Sequence, residues 1–236
     1  MISLKNKKLL VVAAHPDDET LGCGGLISKI KEVGGKVYVP FLTNGTTQDF
    51  SAKGISTSRE REKEIESVAN FLDYDDYKIS LPGNEYHLQL DKIGQKQLIH
   101  EIERGQDISL EQIKPDIIAF HSHKDYNQDH EAVAKAAFSA CRPAVKTSKF
   151  VPETILSFEE PMDFWSLEQN INPNFFVELS QKQLNKKLAA LKLYKSQLKE
   201  RGNPRHLDAI RSLAIYRGSA IGKIFAEGFY CHKMQA

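Results

Sequence analysis

Two short stretches constrain this chain more than anything else in it. Residues 8–14 (KLLVVAA) form a nearly unbroken apolar run that ends directly in His15-Pro16-Asp17-Asp18-Glu19. Residues 116–120 (DIIAF) form another, and they end in His121-Ser122-His123-Lys124-Asp125-Tyr126-Asn127-Gln128-Asp129-His130. Apolar runs this short, without alternation, read as strands covered on both faces, and such strands belong to parallel sheets. Parallel neighbours need long crossovers, usually helices. The intervening patterns supply them: helices are predicted over residues 21–33, 58–72, 92–104, 110–113, 129–141, 181–200 and 206–217. Further strands are predicted over 36–42, 79–81, 154–158, 175–179 and 225–231, with a loop over 43–57. Pro40 inside the second strand points to an edge or a bulge. The fold class is therefore a Rossmann-like open α/β sheet, mostly parallel, with helices on both faces and right-handed crossovers.

Composition narrows the function classes. Lys and Arg number 32 against 31 Asp and Glu, for a formal net charge of +1. A nucleic-acid partner is not expected, because phosphate binding draws on a basic excess. With 41% hydrophobic residues and no dominant block of like charge, the chain is not a disordered tail. At 236 residues it can bury roughly 70% of its unfolded surface, so one domain over 1–236 is expected. The stretch INPN at 171–174 is too short to mark a second domain. No apolar run approaches the ~18–20 residues of a membrane span. The N-terminal stretch does not read as a secretory signal. Three widely spaced cysteines make no disulfide framework or zinc ribbon, and a reduced, cytoplasmic compartment is the expectation.

The chemistry concentrates beyond the two strand ends, where open α/β sheets bind ligands. One histidine and three acids in five positions crowd like charges, which a divalent cation would compensate. His15 and Asp18, at i and i+3, can face one ion while Asp17 points elsewhere. A histidine from the second cluster would complete a His–Asp–His set. Such ligands suit Zn²⁺ and leave a coordination position open. An ion so held brings the pKa of a water towards ~7 and polarises a carbonyl, which makes amide hydrolysis the natural reaction. The plainer reading of the Asp residues is a helix start complementing its dipole.

AHPDDE after the first strand, LGCGG behind it and the later D-x-N-x-D-H segment resemble the LmbE-like / PIG-L family of zinc-dependent N-deacetylases. REKE at 61–64, ACRP at 140–143 and LAIYRGSAIGKIFAEGF at 213–229 extend the resemblance over essentially the whole chain. The resemblance implies His15, Asp18 and His130 as metal ligands, with zinc as the ion and iron(II) as the other that such a set accepts. It implies Asp17 as general base, taking a proton from the attacking water and passing it to the leaving amine. Asn127 stands where many relatives carry a histidine, and an amide N–H can donate to an oxyanion but cannot shuttle protons. Asp129 would orient a neighbouring side chain. Arg61, Asn84 and Arg217 fall on the substrate side; the competing readings are a solvated helix charge for Arg61 and an interior salt bridge for Arg217. In the loop near Gly83 a carboxylate common in the family is absent, with Asn84 or Glu85 in its place. The implied partner is a small or carrier-linked acetamido sugar, an N-acetylglucosamine-type conjugate.

Other features have plainer readings. His121 and His123 read as loop or supporting residues rather than ligands. Gly22-Cys23-Gly24-Gly25 does not match a dinucleotide fingerprint and reads as close helix–sheet packing. The basic stripe between Lys182 and Lys199 reads as the wet face of an amphipathic helix, with a membrane surface or lipid carrier as the competing use. The rival to the enzyme as a whole is a Rossmann-type nucleotide or saccharide binder without hydrolytic activity.

Overall fold

The structure, a computed structural model, describes residues 3–48, 54–145, 147–167 and 172–235. The chain runs β1 (Lys8–Val12), α1 (Asp18–Glu32), β2 (Lys36–Asn44), β3 (Thr47–Gln48), β4 (Ile55–Ser56), α2 (Ser58–Leu72) and β5 (Asp76–Pro82). It continues through α3 (Gln95–Arg104), α4 (Leu110–Ile113), β6 (Ile117–His121), α5 (Gln128–Ala140) and β7 (Thr154–Phe158). It ends with β8 (Phe175–Leu179), α6 (Gln181–Leu191), α7 (Leu207–Ser219) and β9 (Phe225–Met234). Seven strands make one sheet in the order β5-β2-β1-β6-β7-β9-β8, while β3 and β4 pair apart from it. All pairings in the large sheet are parallel except those of β9, which runs antiparallel to both β7 and β8. The fold is thus the mostly parallel α/β sheet that the apolar runs imply.

The alternation of β1 shows why both its faces are apolar. Leu9 and Val11 join one core with residues of α1, α2, α6 and α7. Leu10 and Val12 join the other with residues of α3, α4 and α5. All four side chains are fully buried, so each strand residue meets a helix layer on its own side. From β1 the chain builds outward through β2 to β5, then returns to the other flank of β1 with β6. The crevice beyond the carboxyl ends of β1 and β6 is therefore the topological switch point, where ligands bind in such sheets.

Local differences from the sequence-based expectations have identifiable causes. β2 is not an edge strand: it lies between β5 and β1, with Pro40 in register with Lys78. Its pairing with β1 lapses after Leu10–Tyr38 and resumes only as the bridge Ala13–Phe41, and that gap accommodates the missing proline N–H. The 43–57 loop contains the short pair β3 and β4. The helix predicted over 181–200 stops at Leu191, and a short 3₁₀ turn follows at Lys195–Gln197. Glu64 ties down that turn by accepting hydrogen bonds from the Ser196 N–H and hydroxyl at 2.8 and 2.6 Å. Of the 171–174 stretch, Ile171 lies outside the described residues. Asn174 bonds β9 through its N–H to Phe229 O and its Oδ1 to the Cys231 N–H.

Close packing accounts for the glycines of α1. A Cβ on Gly22 would lie 2.2 Å from the Phe158 ring, and one on Gly25 would lie 2.5 Å from Leu179. The space at Gly25 admits the Glu227 carboxylate, which accepts from the Gly25 and Leu26 N–H groups at 2.7 Å each. Lys187 pairs with Glu227 at 2.7 Å and donates to Leu21 O at 2.7 Å. The stripe between Lys182 and Lys199 is thus not uniformly wet: Lys187 is buried.

Candidate metal centre

β1 delivers His15 to the crevice, α1 opens on Asp18 and Glu19, and His130 is the third residue of α5. The start of α5 is fixed by Asn127, whose Oδ1 accepts from the Asp129 N–H at 2.9 Å. His15 N–H donates to Asp18 Oδ2 at 2.7 Å, which fixes the turn between strand and helix. Three atoms then face one another. His15 Nδ1 lies 3.2 Å from His130 Nε2, and Asp18 Oδ2 lies 3.4 Å from each of them. Ligands held tetrahedrally at ~2.0–2.1 Å from one ion are ~3.3–3.4 Å apart. The observed triangle fits that spacing.

Neighbouring carboxylates determine what those atoms can do. Asp129 Oδ2 meets His15 Nε2 at 2.9 Å, and Asp125 Oδ2 meets His130 Nδ1 at 2.7 Å. Each carboxylate holds the ring proton on the far nitrogen and turns the other lone pair inward. Three acceptors then converge, all buried, and a positive charge between them, a metal ion or a proton, relieves their repulsion. Without an ion, a proton on His130 supplies the positive charge. Burial opposes charge on Asp18, but His130 and His15 outweigh it and hold the carboxyl well below the usual range. Burial likewise opposes charge on His130, but Asp18 and Glu160 raise it well above the ordinary histidine value.

A second grouping of His121, His130 and Glu160 also converges, but its chemistry is different. His121 Nε2 accepts the Ala14 N–H at 2.8 Å, so in the neutral ring Nδ1 carries the proton. That nitrogen faces Glu160 Oε1 at 2.9 Å, and its lone pair is not available to a metal. His121 therefore braces the end of β1, in line with its reading as a supporting residue, while Asp18 Oδ2 lies 3.4 Å from its Nε2.

Asp17 stands beside the triangle without joining it. It precedes α1 with φ 98° and ψ −24°, a left-handed conformation, and its side chain does not cap the helix. Its Oδ2 instead accepts from Arg205, and its N–H donates to Glu19 Oε2 at 3.1 Å. Burial raises its carboxyl above the usual range, with Arg205 and Arg61 pulling down and Asp18 pushing up. Behind it, burial pushes Glu19 up to about 7 against hydrogen bonds from Thr20, Tyr194 and Tyr74.

The remaining sequence candidates are distributed unevenly. Arg61 is only 2% exposed and so is not a solvated helix charge. Its Nη2 donates to Pro16 O at 3.4 Å and its Nη1 meets His87 Nε2 at 3.2 Å, while its Nε has no hydrogen-bond partner among the described residues. Burial and Arg61 drive His87 down to about 3, so it accepts as a neutral ring. Asn84 is exposed, and its Oδ1 accepts from the Thr46 N–H at 2.7 Å, tying two loops together. Arg217 is not gathered at the triangle: Glu159 engages its guanidinium bidentately, Nε donating at 2.8 Å. Asp129 orients His15 across the site, and its Oδ1 accepts from the Leu90 N–H. Sequence reasoning missed Asp125, His87, Glu160 and Arg205. Asp125 lay five residues before His130 in a cluster already singled out. Arg205 carried no local signal, sitting 188 residues from the Asp17 it touches.

Fold and site together define a Rossmann-like α/β protein with a His–Asp–His donor set at the carboxyl edge of its sheet. Residues 10–141, more than half of the chain, match the family described as GlcNAc-PI de-N-acetylase, PIG-L, and the chain belongs to that family. It is 28% identical over 197 residues to the uncharacterized deacetylase YaiS of Escherichia coli, covering 81% of this chain and 92% of that one. It is 25% identical over 225 residues to the diacetylchitobiose deacetylase of Thermococcus kodakarensis, covering 94% and 82%. Among solved structures, the N,N′-diacetylchitobiose deacetylase of Pyrococcus horikoshii superposes with a TM-score of 0.70 at 20% identity, over 98% of this chain and 87% of that one. That last likeness is one of fold. No described helix is long and apolar enough to cross a membrane.

Proposed function

We propose that this chain is a metal-dependent hydrolase that removes an N-acetyl group from an amino-sugar conjugate, releasing acetate and a free amine. The observation that carries the reading is the triangle of inward-facing acceptors at 3.2–3.4 Å with the Asp17 carboxylate beside it. His15, Asp18 and His130 would hold the ion, with zinc favoured by the mixed nitrogen and oxygen donors. A divalent ion there supplies acidity to a water and polarises the amide carbonyl. Asp17 would take the proton from the attacking water and return it to the leaving nitrogen. Asn127, its oxygen spent on the helix cap, has the Nδ2 protons left as donors for a developing oxyanion. Arg61, buried beside Pro16 and His87, would serve the substrate side by holding a sugar oxygen or phosphate. The similarity to a diacetylchitobiose deacetylase supports an acetamido sugar as substrate.

The test is an acetate-release screen over free, nucleotide-linked and lipid-linked acetamido sugars, with and without a chelator. The expected result is release from at least one of them, abolished by the chelator and restored by zinc. Purified protein that retains one metal per chain yet releases acetate from none would overturn the hydrolase in favour of a saccharide binder. Nucleotide-induced thermal stabilisation without stoichiometric metal would favour a nucleotide binder.

A further inference from the structure

Glu19 has no part in the proposed proton transfers, yet it is fully buried directly behind them. Its two oxygens do different things. Oε1 accepts from three hydroxyls: Thr20 at 2.5 Å, Tyr194 at 2.8 Å and Tyr74 at 2.9 Å. Tyr74 comes from the link between α2 and β5, and Tyr194 from the turn after α6. Thus Oε1 is anchored to three parts of the scaffold. Oε2 accepts from the main-chain N–H of Asp17 at 3.1 Å.

That last bond bears on the strained residue. A non-glycine residue at φ 98° stores about 1–3 kcal/mol and persists only where its surroundings impose it. The Asp17 carbonyl accepts from the Thr20 and Leu21 N–H groups, as at any helix start, and those bonds leave φ open. The direction of the Asp17 N–H is what φ sets. Turning φ back to a negative value would swing that N–H away from Oε2. It would also redirect Cβ, which now sends the carboxylate to Arg205 rather than over the helix end.

We infer that Glu19 is a positioning residue: it holds the Asp17 backbone in its left-handed conformation, and Thr20, Tyr74 and Tyr194 hold Glu19. The inference rests on the reading of Asp17 as the proton-transferring group. A carboxylate suits the task because, when ionised, it accepts on both oxygens. In Glu19→Gln the amide oxygen goes to the side crowded by three hydroxyls, leaving its NH₂ against the Asp17 N–H, donor facing donor.

Crystal structures of the zinc-loaded wild type and E19Q test this without any turnover. The expected result is Asp17 displaced from φ near +98° in E19Q, with one zinc per chain and the His15, Asp18 and His130 donor atoms unmoved. Asp17 at its original φ in E19Q overturns the inference. The kinetic arm follows acetate release from N,N′-diacetylchitobiose. E19Q should lower kcat about tenfold or more at unchanged KM, but by less than about twofold when added to Asp17→Asn, because the two act in series. A loss that multiplies in full with D17N marks Glu19 as general scaffold support and overturns the inference. D17N that keeps full activity would instead fail the reading of Asp17 itself. Tyr194→Phe removes one of the three anchors and serves as the milder variant where E19Q does not fold. It should give a smaller kcat loss that likewise vanishes in the D17N background, and an undiminished loss there counts against the inference.

Discussion

The start and the middle of α1 hold buried charge in opposite ways. At its middle, Lys187 and Glu227 form a closed set: the carboxylate accepts two backbone N–H groups and the ammonium, and the ammonium also donates to Leu21 O. At its start, His15, Asp18 and His130 turn three acceptors toward one point, with two further carboxylates behind them fixing the ring protons. Burial alone distinguishes neither, since all five side chains are nearly inaccessible. The difference is closure. A buried pair joined to each other and to backbone groups needs nothing from outside, whereas converging acceptors need a positive charge between them. The first arrangement holds α1 against the sheet, and the second is where chemistry is proposed.

Breaking the open end should have the largest effects. His130→Ala removes one of three donors, and the expected outcome is loss of stoichiometric zinc and of acetate release together, read by metal analysis and activity. In the wild type, zinc at 100 times its Kd should add about 2.7 kcal/mol to stability, seen as a raised Tm, and the increment should vanish in H130A. Asp17→Asn should keep the metal and lower kcat about 10²- to 10⁴-fold; full activity in that variant removes Asp17 from the base role.

Breaking the closed set at the middle of α1 should cost stability and leave the metal alone. Lys187→Met leaves Glu227 buried without its counter-charge and should cost about 3–5 kcal/mol in denaturant unfolding, with zinc content unchanged. Zinc loss in K187M at temperatures where the fold is intact would show that the two regions are coupled through α1.

The smallest effect sharpens the comparison at the opposite edge of the sheet. Glu103 is buried and accepts from Arg142 at 2.6 Å and Lys149 at 3.0 Å. Burial works against its charge, but those two bonds win and hold its carboxyl below the usual value. A folded-state pKa below the unfolded one stabilises fully above the unfolded value and loses that contribution as pH falls through the folded one. Wild type should therefore exceed Glu103→Gln by about 2 kcal/mol near pH 7, with the gap closing below about pH 4. A gap that does not change with pH would show that Glu103 acts through packing alone.

Much of this arrangement was legible in the chain. Helix α2 follows its pattern over Ser58–Leu72 because Thr57 and Glu60 form a capping box and Leu72 precedes a left-handed Asp73. β1 and β6 could be read because strands buried on both faces cannot afford a polar residue. His15, Asp18 and His130 could be named because histidines and acids clustered beyond such strands have few other reasons to be there. Other features were not legible, for equally physical reasons. Lys187 sits in a basic stripe that looks uniformly solvated, and only the packing of β9 against α1 turns it inward. Tyr194 falls on the apolar stripe of a predicted long helix, yet the helix ends three residues before it and its hydroxyl reaches Glu19. Arg205 lies in an exposed, turn-rich stretch that resembles any surface loop.

What the amino-acid order determined by itself is local: apolar runs that must be covered on both faces, helices with their caps, and two polar clusters placed immediately after strands. Those properties depend on neighbours within a few positions, so they survive without knowledge of the rest. Tertiary structure alone decided how the clusters meet. The sheet order sets β1 beside β6 across a gap of more than a hundred residues, and this brings His130 within 3.2 Å of His15. The same packing chose which carboxylate orients which imidazole, sent Arg205 to Asp17 and left Arg217 with Glu159. Hydrogen bonds and ion pairs act over about 3 Å, and distance along the chain says nothing about which groups will come that close.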